Sequence, residues 1–396
     1  MCIMKMKHYL QIITKNIFYS IALLSQIVIS GCTSHSNPKY STIQIDCTKK
    51  ISSDRAFDSL FKYNSYIILE ETPKSKISSI DKICISDDRI IILDNRTRIL
   101  IFDKKGKFIN SVEHRGHGNG EYLSLSDFIT KEDTLYCLDR IGGKILAYSL
   151  DGKYLHSKDV SPSKGFFFLN NGTAFNQEFG LANGKEKDFY SYSYITNKNE
   201  VLHYVKYNKA LNGKSFSFSS GSNSFFMSDE SLFYCIPYND IIYEINKDTG
   251  EPSPFMRIIL GDRVIQEGDD VKRVTEILNS SVPSNIFAFY KWENLLIFSY
   301  YGEDDIRQYV FYDQQNGLIH NAPLSFDENQ LPISIMNYDN YCQNPYKLLS
   351  NISPISIRMI YEKQEDKNMN PVLQELYRQV LDNENPVLIF YDILHP

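Results

Sequence analysis

The sequence has none of the short motifs that would assign a chemistry directly. Its 396 residues contain no G-x-S-x-G, H-E-x-x-H or P-loop pattern, and no two cysteines stand in C-x-x-C spacing. Those patterns carry nucleophilic, zinc-dependent, nucleotide-dependent and redox chemistry, respectively. Positive charge is also scarce, since 42 Lys and Arg stand against 48 Asp and Glu for a net charge of -6. A generic nucleic-acid binder needs a basic surface and is therefore excluded.

What remains is the composition of a globular protein. Hydrophobic residues make up 42% of the chain and aromatic residues 13%, mostly Tyr and Phe because there is a single Trp. This is enough to bury a sizeable core. The composition excludes a disordered protein, a collagen-like rod and a polytopic membrane protein.

Residues 1–31 are predicted to be a lipoprotein signal peptide. Three lysines are the only formally charged residues before Lys39, and a largely apolar run of 13 residues covers positions 17–29. Such a run is too short to span a bilayer comfortably and is typical of a signal-peptide core. It ends in Ile29-Ser30-Gly31-Cys32, which resembles the lipobox of bacterial lipoproteins. The alternative is an ordinary secretory signal with a chance cysteine.

The resemblance to a lipobox implies that Cys32 is acylated and that the chain is cut before it. More than one acyl chain anchors a protein stably, so a lipid bilayer is a predicted partner. Residues 32–48 are predicted to be a polar tether and residues 49–396 the folded domain. The tether carries no acidic residue directly after Cys32, whereas surface-export signals of some lipoproteins are acidic there. We therefore expect the periplasmic face of an outer membrane.

The cysteines of the mature chain are interpreted as small buried hydrophobes. An odd number follows Cys32, which leaves at least one unpaired within a monomer. Three of them lie among apolar residues, and this favours packing over metal or redox work. The five are Cys47, Cys84, Cys137, Cys235 and Cys342.

The body of the chain repeats with a period near 46 residues. The clearest copies end in turns at Gly106 and Gly152, which are 46 residues apart, and weaker copies have turns near 199, 250 and 317. Each copy consists of short alternating strands separated by Asp, Asn and Gly turns. Repeats of this length with four strands are typical of propeller blades, although a β-sandwich or an unrelated run of hairpins is the alternative. We predict an all-β fold, a six-bladed β-propeller, whose sixth blade comes from residues 333–361 and 386–393.

Short helical insertions are predicted near residues 269–281 and 370–383. Val271, Val274 and Leu278 recur at helical spacing behind two aspartates, and a second apolar face follows Asn370-Pro371. Asp at the start of a helix caps it, and Pro is favoured at its first position. A shorter helix, residues 54–62, is expected before the first blade.

Several stretches resemble a known family. They are Ile68-Leu69-Glu70-Glu71-Thr72, residues 90–94 and 102–107, Arg115-Gly116-His117-Gly118-Asn119-Gly120-Glu121-Tyr122, residues 237–243 and Asn385-Pro386-Val387-Leu388. Together they resemble the six-bladed β-propeller lipoproteins common in gut Gram-negative bacteria, which are related in shape to NHL-type propellers. The resemblance covers residues 40–396 and implies a fold and a compartment. That family mostly lacks an assigned activity, and a fold does not supply one.

Blade geometry predicts which face carries a site. The four strands of a blade, a to d from the axis outwards, alternate in direction. The b–c loops and the d–a links to the next blade therefore emerge on one face, here called the top face, and the a–b and c–d turns on the bottom face. A polar rim around a central channel is the usual place for a propeller to bind. The predicted ligand-binding residues on the top face are Arg96, Arg115, His117, Glu121, Tyr122, Arg140, Tyr238 and Asp240.

The link at residues 114–122 is the most distinctive top-face segment. Its glycines follow G-x-G-x-G in a β context, which argues against a dinucleotide site. His114 and His117 are three apart without a visible third ligand, so no metal and no cofactor is predicted. Asp94 and Asp139 end their strands, where Asp most often caps loop amides. The acidic loop at residues 303–305 is interpreted as solvated rather than cation-binding.

Two functions remain open from the sequence. The first is a binding or scaffold lipoprotein whose top face holds a glycan, a peptide or a partner protein at the outer membrane. The second is a lyase or hydrolase acting on polysaccharide or peptide, with Glu121 or Asp139 as base and His117 or Tyr122 as acid. An enzyme should show a His or Tyr converging with a carboxylate, at least one of them with a shifted pKa. A scaffold should show a broad rim without such convergence.

Overall fold

The architecture is taken from a computed structural model. It describes residues 43–48, 56–177, 190–206, 208, 210, 224–228, 230–236, 238–261, 264–266, 268–279, 286, 288–302, 306–323, 326–327, 329, 331–336, 338–341, 347–363 and 370–394. None of the helices in this part of the chain has the length and apolarity needed to cross a membrane.

Twenty-five strands and four short helices make up the described chain. The first twelve strands are β1 (Ile43–Asp46), β2 (Phe61–Ile68), β3 (Ile80–Ser86), β4 (Arg89–Asp94), β5 (Arg98–Asp103), β6 (Phe108–Val112), β7 (Leu125–Lys131), β8 (Thr134–Asp139), β9 (Lys144–Ser149), β10 (Tyr154–Asp159), β11 (Ser163–Leu169) and β12 (Gly172–Gln177). The next thirteen are β13 (Tyr190–Thr196), β14 (Val201–Lys206), β15 (Phe225–Ser228), β16 (Ser231–Tyr234), β17 (Ile241–Ile245), β18 (Pro252–Ile259), β19 (Ala288–Trp292), β20 (Leu295–Tyr301), β21 (Arg307–Asp313), β22 (Leu318–Ala322), β23 (Asp339–Tyr341), β24 (Lys347–Ile352) and β25 (Val387–Ile393). The helices are α1 (Ala56–Leu60), α2 (Val271–Asn279), α3 (Pro354–Lys363) and α4 (Pro371–Gln379).

Five blades are built from consecutive strands. Blades 1 to 5 are β3–β6, β7–β10, β11–β14, β15–β18 and β19–β22, each an antiparallel meander. The first strand of each blade contacts the first strand of the next, which places these strands around the axis. The five predicted turns all lie between the third and fourth strands of their blades. The predicted six-bladed β-propeller is confirmed.

Blade 6 closes the ring with strands from both ends of the described chain. Its sheet has the order β2-β25-β24, and β2 pairs antiparallel with β25 from Phe61↔Ile393 to Ile68↔Val387. The sequence located only the C-terminal part of this blade. The rest of the 333–361 stretch forms α3 and a segment inside the ring instead of further blade strands.

The strand β1 corrects the predicted boundary of the tether. Residues 43–46 were expected to belong to it, but they pair in parallel with β18 from Ile43↔Met256 to Asp46↔Ile259. The Cys47 carbonyl then accepts hydrogen bonds from Tyr300 Oη at 3.0 Å and from Asn321 Nδ2 at 3.2 Å. This stretch is the fifth, outermost strand of blade 4.

The core lies between neighbouring blades because each blade has two covered faces. Strand β9 shows the pattern, since all four of its central residues are buried. The largest apolar cluster joins blades 5, 6 and 1. Cys47, Cys84, Cys137 and Cys235 are buried and form no disulfide within the described part of the chain, and Cys342 lies outside it.

The helical insertions occur where they were predicted, with small differences in their faces. Helix α2 is capped by Asp270 Oδ1, which accepts from Arg273 N at 2.8 Å, but it buries Val274 and Ile277 and leaves Val271 61% exposed. Helix α4 starts behind Asn370, whose side chain accepts from Val372 N. The expected helix at residues 54–62 is shortened to α1 because β2 begins at residue 61.

A segment of chain, residues 334–336 and 338–341, fills part of the central channel. Strand β23 adds in parallel to the axial side of β3 and also contacts β15 of blade 4 across the ring. The same segment bridges β24 at Ile335↔Ser350. Tyr290 Oη donates to the Met336 carbonyl, and Arg307 donates to the Ile335 carbonyl at 2.7 Å. A ligand on the top face therefore meets a channel that is partly occupied by the protein itself.

Candidate functional site

The aspartates that end the second strands hold the loops of the top face in place. Asp139 is fully buried, and its carboxylate accepts from the amides of Leu123, Ser124 and Gly142 at 3.0–3.1 Å. Asp94 does the same in blade 1, accepting from Ser78 N and Ser79 N. The loop-capping interpretation is confirmed. With three amide donors on its carboxylate, Asp139 is a structural group in this structure and not a poised general base.

Tyr122 is a packing residue of the same region. Its side chain is fully buried, and the hydroxyl donates to the carbonyls of Thr97 at 2.7 Å and Val112 at 3.1 Å. Burial raises the pKa of Tyr122 well above its usual value. The predicted roles as ligand contact or catalytic acid are therefore corrected, because the ring and the hydroxyl are both used inside the protein.

The glycine loop, residues 114–121, lies away from the channel. His114 Nε2 is 3.1 Å from the Gly152 carbonyl, and Tyr148 Oη donates to the Gly120 carbonyl at 2.9 Å. Gly152 and Tyr148 belong to the c–d end of blade 2, so this part of the link lies over the outer strands, whereas Tyr122 at its end contacts the b–c turn of blade 1. The twist of the blade explains this position. It turns the outer strand away from the direction of the propeller axis, and the link then has to return to the inner strand of the next blade.

The residues of the glycine loop are consequently separated from the other predicted site residues. Arg115 and His117 are exposed on the outer side between blades 1 and 2. Glu121 Oε2 turns back on its own loop and accepts from Gly118 N at 2.7 Å. Among the described residues, the four groups named for an enzyme, His117, Glu121, Tyr122 and Asp139, form no hydrogen bonds with one another.

Arg96 and Arg140 do lie together at the top of the inner strands. Leu125 N donates to the Arg96 carbonyl at 3.1 Å, and Arg140 N donates to the Ser124 carbonyl at 3.0 Å. The two b–c loops thus lie on either side of the backbone of Ser124 and Leu125. Each is one interstrand spacing from that backbone, so the main chains of the two loops are about 10 Å apart. Asp81 Oδ2 accepts from Arg96 N at 2.8 Å. We call Asp81, Arg96 and Arg140 the mouth cluster.

Asp81 was missed by the sequence interpretation. It sits at a β-bulge near the start of β3, and equivalent bulges occur at Ser126 of β7 and Lys164 of β11. A bulge re-aims a side chain and is common beside functional sites. Desolvation raises the pKa of Asp81, opposed by the Arg96 N–H and the Arg96 charge. Comparison of the repeats could have revealed Asp81, because Asp81, Ser126 and Lys164 occupy equivalent positions in successive blades.

A buried ion pair below the mouth cluster was also missed. Lys82 Nζ lies 2.7 Å from Asp127 Oδ1, with side chains 7% and 3% exposed. Asp127 Oδ2 accepts from Phe166 N at 3.0 Å, so one carboxylate joins blades 1, 2 and 3. Opposite charges at equivalent positions of adjacent repeats were the signal that could have revealed it.

The blade 4 candidates belong to a different part of the top face. Tyr238 is buried, its carbonyl accepts from Ile265 N at 2.9 Å, and burial raises its pKa. Asp240 is paired with Arg257 Nε at 2.6 Å. Neither bonds to the mouth cluster in the described structure. The acidic loop at residues 303–305 lies outside the described residues.

One tyrosine does meet a carboxylate with a shifted pKa, but inside the protein. Tyr391 Oη donates to Asp327 Oδ2 at 2.9 Å, and burial raises the pKa of both groups. The other carboxylate oxygen accepts from Asn329 N and Leu331 N. Tyr391 is fully buried and Asp327 is 6% exposed, so the pair holds the chain that enters blade 6.

The ring of six small sheets, closed by strands from both ends, defines the class: a six-bladed β-propeller. The chain belongs to the family described as domain of unknown function DUF4934, which matches residues 42–392. No curated protein matches the sequence significantly.

Two solved structures are similar to this chain. A candidate exported protein from Bacteroides fragilis NCTC 9343 is 18% identical, with a TM-score of 0.70 over 90% of this chain and 100% of that chain. A member of the DUF4221 family from Bacteroides vulgatus ATCC 8482 is 8% identical, with a TM-score of 0.49 over 84% of this chain and 97% of that chain. The first of these likenesses shows the same fold.

Proposed function

We propose that the protein is an exported binding scaffold whose top face, at the mouth cluster, holds a glycan, a peptide or a partner protein. The observation that carries this proposal is Arg96, a half-buried residue beside the inner strands whose side chain forms no hydrogen bond or ion pair among the described residues. An arginine side chain without an internal partner is available to bind an anionic group of a ligand. The separated bonding of His117, Glu121, Tyr122 and Asp139 favours a scaffold over a lyase or hydrolase.

We also propose that the scaffold is held at the periplasmic face of an outer membrane by acylated Cys32. The lipobox-like sequence supports the anchor, and the fold shared with a candidate exported protein, at 18% identity, agrees with export. The tether joins the propeller through β1, on the outer edge of blade 4. Blade 4 lies opposite blade 1 in the ring of six blades, so the mouth cluster lies away from β1. In this proposal the NHL-type likeness is one of shape only.

Binding is tested with a soluble form that starts at Tyr40, so that β1 is kept. The form is screened on glycan and peptide arrays, and hits are repeated with Arg96→Gly and with Arg89→Gly, a control on the bottom face. We expect hits that weaken only with the Arg96 change. Hits that bind Arg96→Gly as tightly as wild type would place binding elsewhere and contradict the proposal.

Anchoring is tested separately on the full chain. Cells expressing wild type and Cys32→Ser are labelled with a fatty-acid analogue and separated into membrane and soluble fractions. We expect label and membrane retention for wild type only. Equal fractionation without label would show that Cys32 is not acylated, whatever the binding screens give.

A further inference from the structure

Resting on the proposed function, we propose that the ligand is a peptide whose carboxylate is bound by Arg96, with an adjacent apolar side chain against Ile141. Four observations carry this inference: the backbone of Arg96, the state of its guanidinium, its relation to Ile141 and the burial of the nearby aromatic rings.

The Arg96 backbone is held in a conformation that its side chain disfavours. Asn95 and Arg96 have φ values of 49° and 55° and are the two central residues of the turn that is closed by the hydrogen bond from Thr97 N to the Asp94 carbonyl. Such turns prefer Asn-Gly, because a side chain at the second position is strained. An observed outlier of this kind is grounds for a functional hypothesis.

The same backbone is fixed on both sides. Arg96 N donates to the Asp81 carboxylate at 2.8 Å, and its carbonyl accepts from Leu125 N at 3.1 Å. The turn itself therefore has little backbone freedom to lose when a ligand binds.

The guanidinium differs from the other half-buried arginines. Arg98 binds Asp94, Arg307 binds Ser299 and the Ile335 carbonyl, and Arg358 binds Glu384. Arg96 has the Asp81 charge nearby but forms neither a hydrogen bond nor an ion pair through its side chain within the described chain. Its five N–H donors therefore fit a planar, bidentate anion such as a carboxylate.

Ile141 is the counterpart of Arg96 in the next blade. Asn95 N donates to the Ser79 carbonyl, and Arg140 N donates to the equivalent Ser124 carbonyl. Asn95 therefore corresponds to Arg140, and the residues after them, Arg96 and Ile141, correspond as well. Ile141 is 64% exposed, more than any other large hydrophobic residue in the described chain. Equivalent turns of neighbouring blades thus carry a cation and an exposed aliphatic side chain.

This pairing favours a peptide over a glycan. Sugar rings are commonly recognised by stacking on exposed aromatic rings, but Tyr122 and Tyr238, the aromatic residues predicted on this face, are both buried. A carboxylate next to an apolar side chain is what the C-terminus of a peptide with an apolar last residue offers.

The experiment uses ten-residue peptides ending in each apolar residue, synthesised both as free acids and as C-terminal amides, with a parallel array of acidic and neutral glycans. Affinities of the best peptide pair are then measured by fluorescence anisotropy for wild type, Arg96→Gly, Ile141→Ser and the control Arg89→Gly. We expect the free acid to bind about 10- to 100-fold more tightly than the amide. Arg96→Gly should remove that difference, Ile141→Ser should weaken both forms, and Arg89→Gly should change neither.

Each remaining outcome decides the inference. Amides that bind as tightly as acids, or an Arg96→Gly variant that keeps the difference, would overturn the carboxylate assignment and leave the scaffold function standing. Glycan hits lost in Arg96→Gly, without peptide hits, would overturn the peptide assignment alone. An absence of hits on both arrays would overturn the peptide assignment and leave a partner protein as the ligand in the proposed function. Unfolding midpoints of Arg96→Gly at or above wild type show that a loss of binding is not a loss of fold.

Discussion

Blades 1 and 2 differ from blade 6 in how their loops are held. In blades 1 and 2 an aspartate that ends the second strand accepts from two amides at the start of its own blade, as Asp94 does with Ser78 and Ser79. At the closure between blades 6 and 1, the buried Asn385 accepts from Ile77 N and donates to the carbonyls of Glu70 and Ser75. The first kind of bond is local and repeated, whereas the second joins residues about 310 positions apart. The regular blades therefore follow from the repeat, and the closed ring depends on single long-range contacts.

The largest effect is expected from breaking the ion pair that joins the regular blades. Asp127→Leu removes the ion-pair partner of the buried Lys82 charge and the acceptor of Phe166 N. We expect the free energy of unfolding to fall by about 3–5 kcal/mol, because removing the partner of a buried charge is strongly unfavourable. Urea denaturation of the soluble form measures it.

The double variant Lys82→Met/Asp127→Leu is the control for that change. Replacing both charges by apolar groups of similar size should recover much of the lost stability. A double variant as unstable as Asp127→Leu alone would show that the amide bond to Phe166, and not the charge of Lys82, is what matters.

A smaller effect should separate the closure from the regular blades. Gly106 and Gly152 end equivalent strands with φ of +84° and +83°. An added Cβ would lie 2.1 Å from the Ile68 carbonyl of the closing strand at Gly106, but 3.2 Å from the flexible Asn110 amide at Gly152. We expect Gly152→Ala to cost about 1–2 kcal/mol from backbone strain alone. Gly106→Ala should cost about 2–4 kcal/mol, since overpacking is added to the strain.

Equal costs for these two alanine variants, measured in the same urea titrations, would mean that β2 yields to the new Cβ. The ring would then be closed less tightly than the structure indicates.

The same contrast explains what the sequence could and could not predict. The turns at Gly106 and Gly152 were visible because period-2 strands and turn residues are local signals. The closing role of β2 was not visible, since its partner β25 lies some 320 residues away and any alternating strand would fit the pattern. Long-range pairing is a property of the ring and not of either segment.

The candidate site divides in the same way. The capping role of Asp139 was predictable because it depends on residues nearby in the chain. The position of the glycine loop was not, since strand direction fixes where a link starts and ends but not where a long link passes between. Asp81 escaped notice because a bulge inserts one extra residue that interrupts the alternation, so a period-2 pattern does not predict where that side chain points.

Asp327 should give the closure a pH dependence. Burial raises the pKa of this carboxyl above 3.8, so the folded state favours the protonated form. Its contribution is full below pH 3.8 and is lost as the pH rises through the raised value. We expect the stability of wild type relative to Asp327→Asn to decrease as the pH rises above 3.8, measured by urea midpoints.

Asp103 supplies a control of opposite sign. Backbone hydrogen bonds, that of Lys107 first, lower its pKa below 3.8. Wild type should therefore lose stability relative to Asp103→Asn only as the pH falls below that value. Parallel trends for the two variants would show that the pH dependence comes from net charge and not from the environment of Asp327.

The smallest expected effect has an unusual sign and concerns the mouth cluster. Arg96→Gly relieves a side chain held at φ 55°, so the free energy of unfolding should rise by about 0.5–1 kcal/mol despite the flexibility of glycine in the unfolded chain. Arg89 lies in ordinary strand conformation at the other end of β4. Arg89→Gly should therefore lower the free energy of unfolding by about 0.5–1 kcal/mol. If Arg96→Gly is more stable than wild type but no longer binds, the strained backbone at this residue of blade 1 serves binding and not stability. A destabilised Arg96→Gly would show that the arginine supports the hairpin, and it would remove the strain from the argument for a binding role.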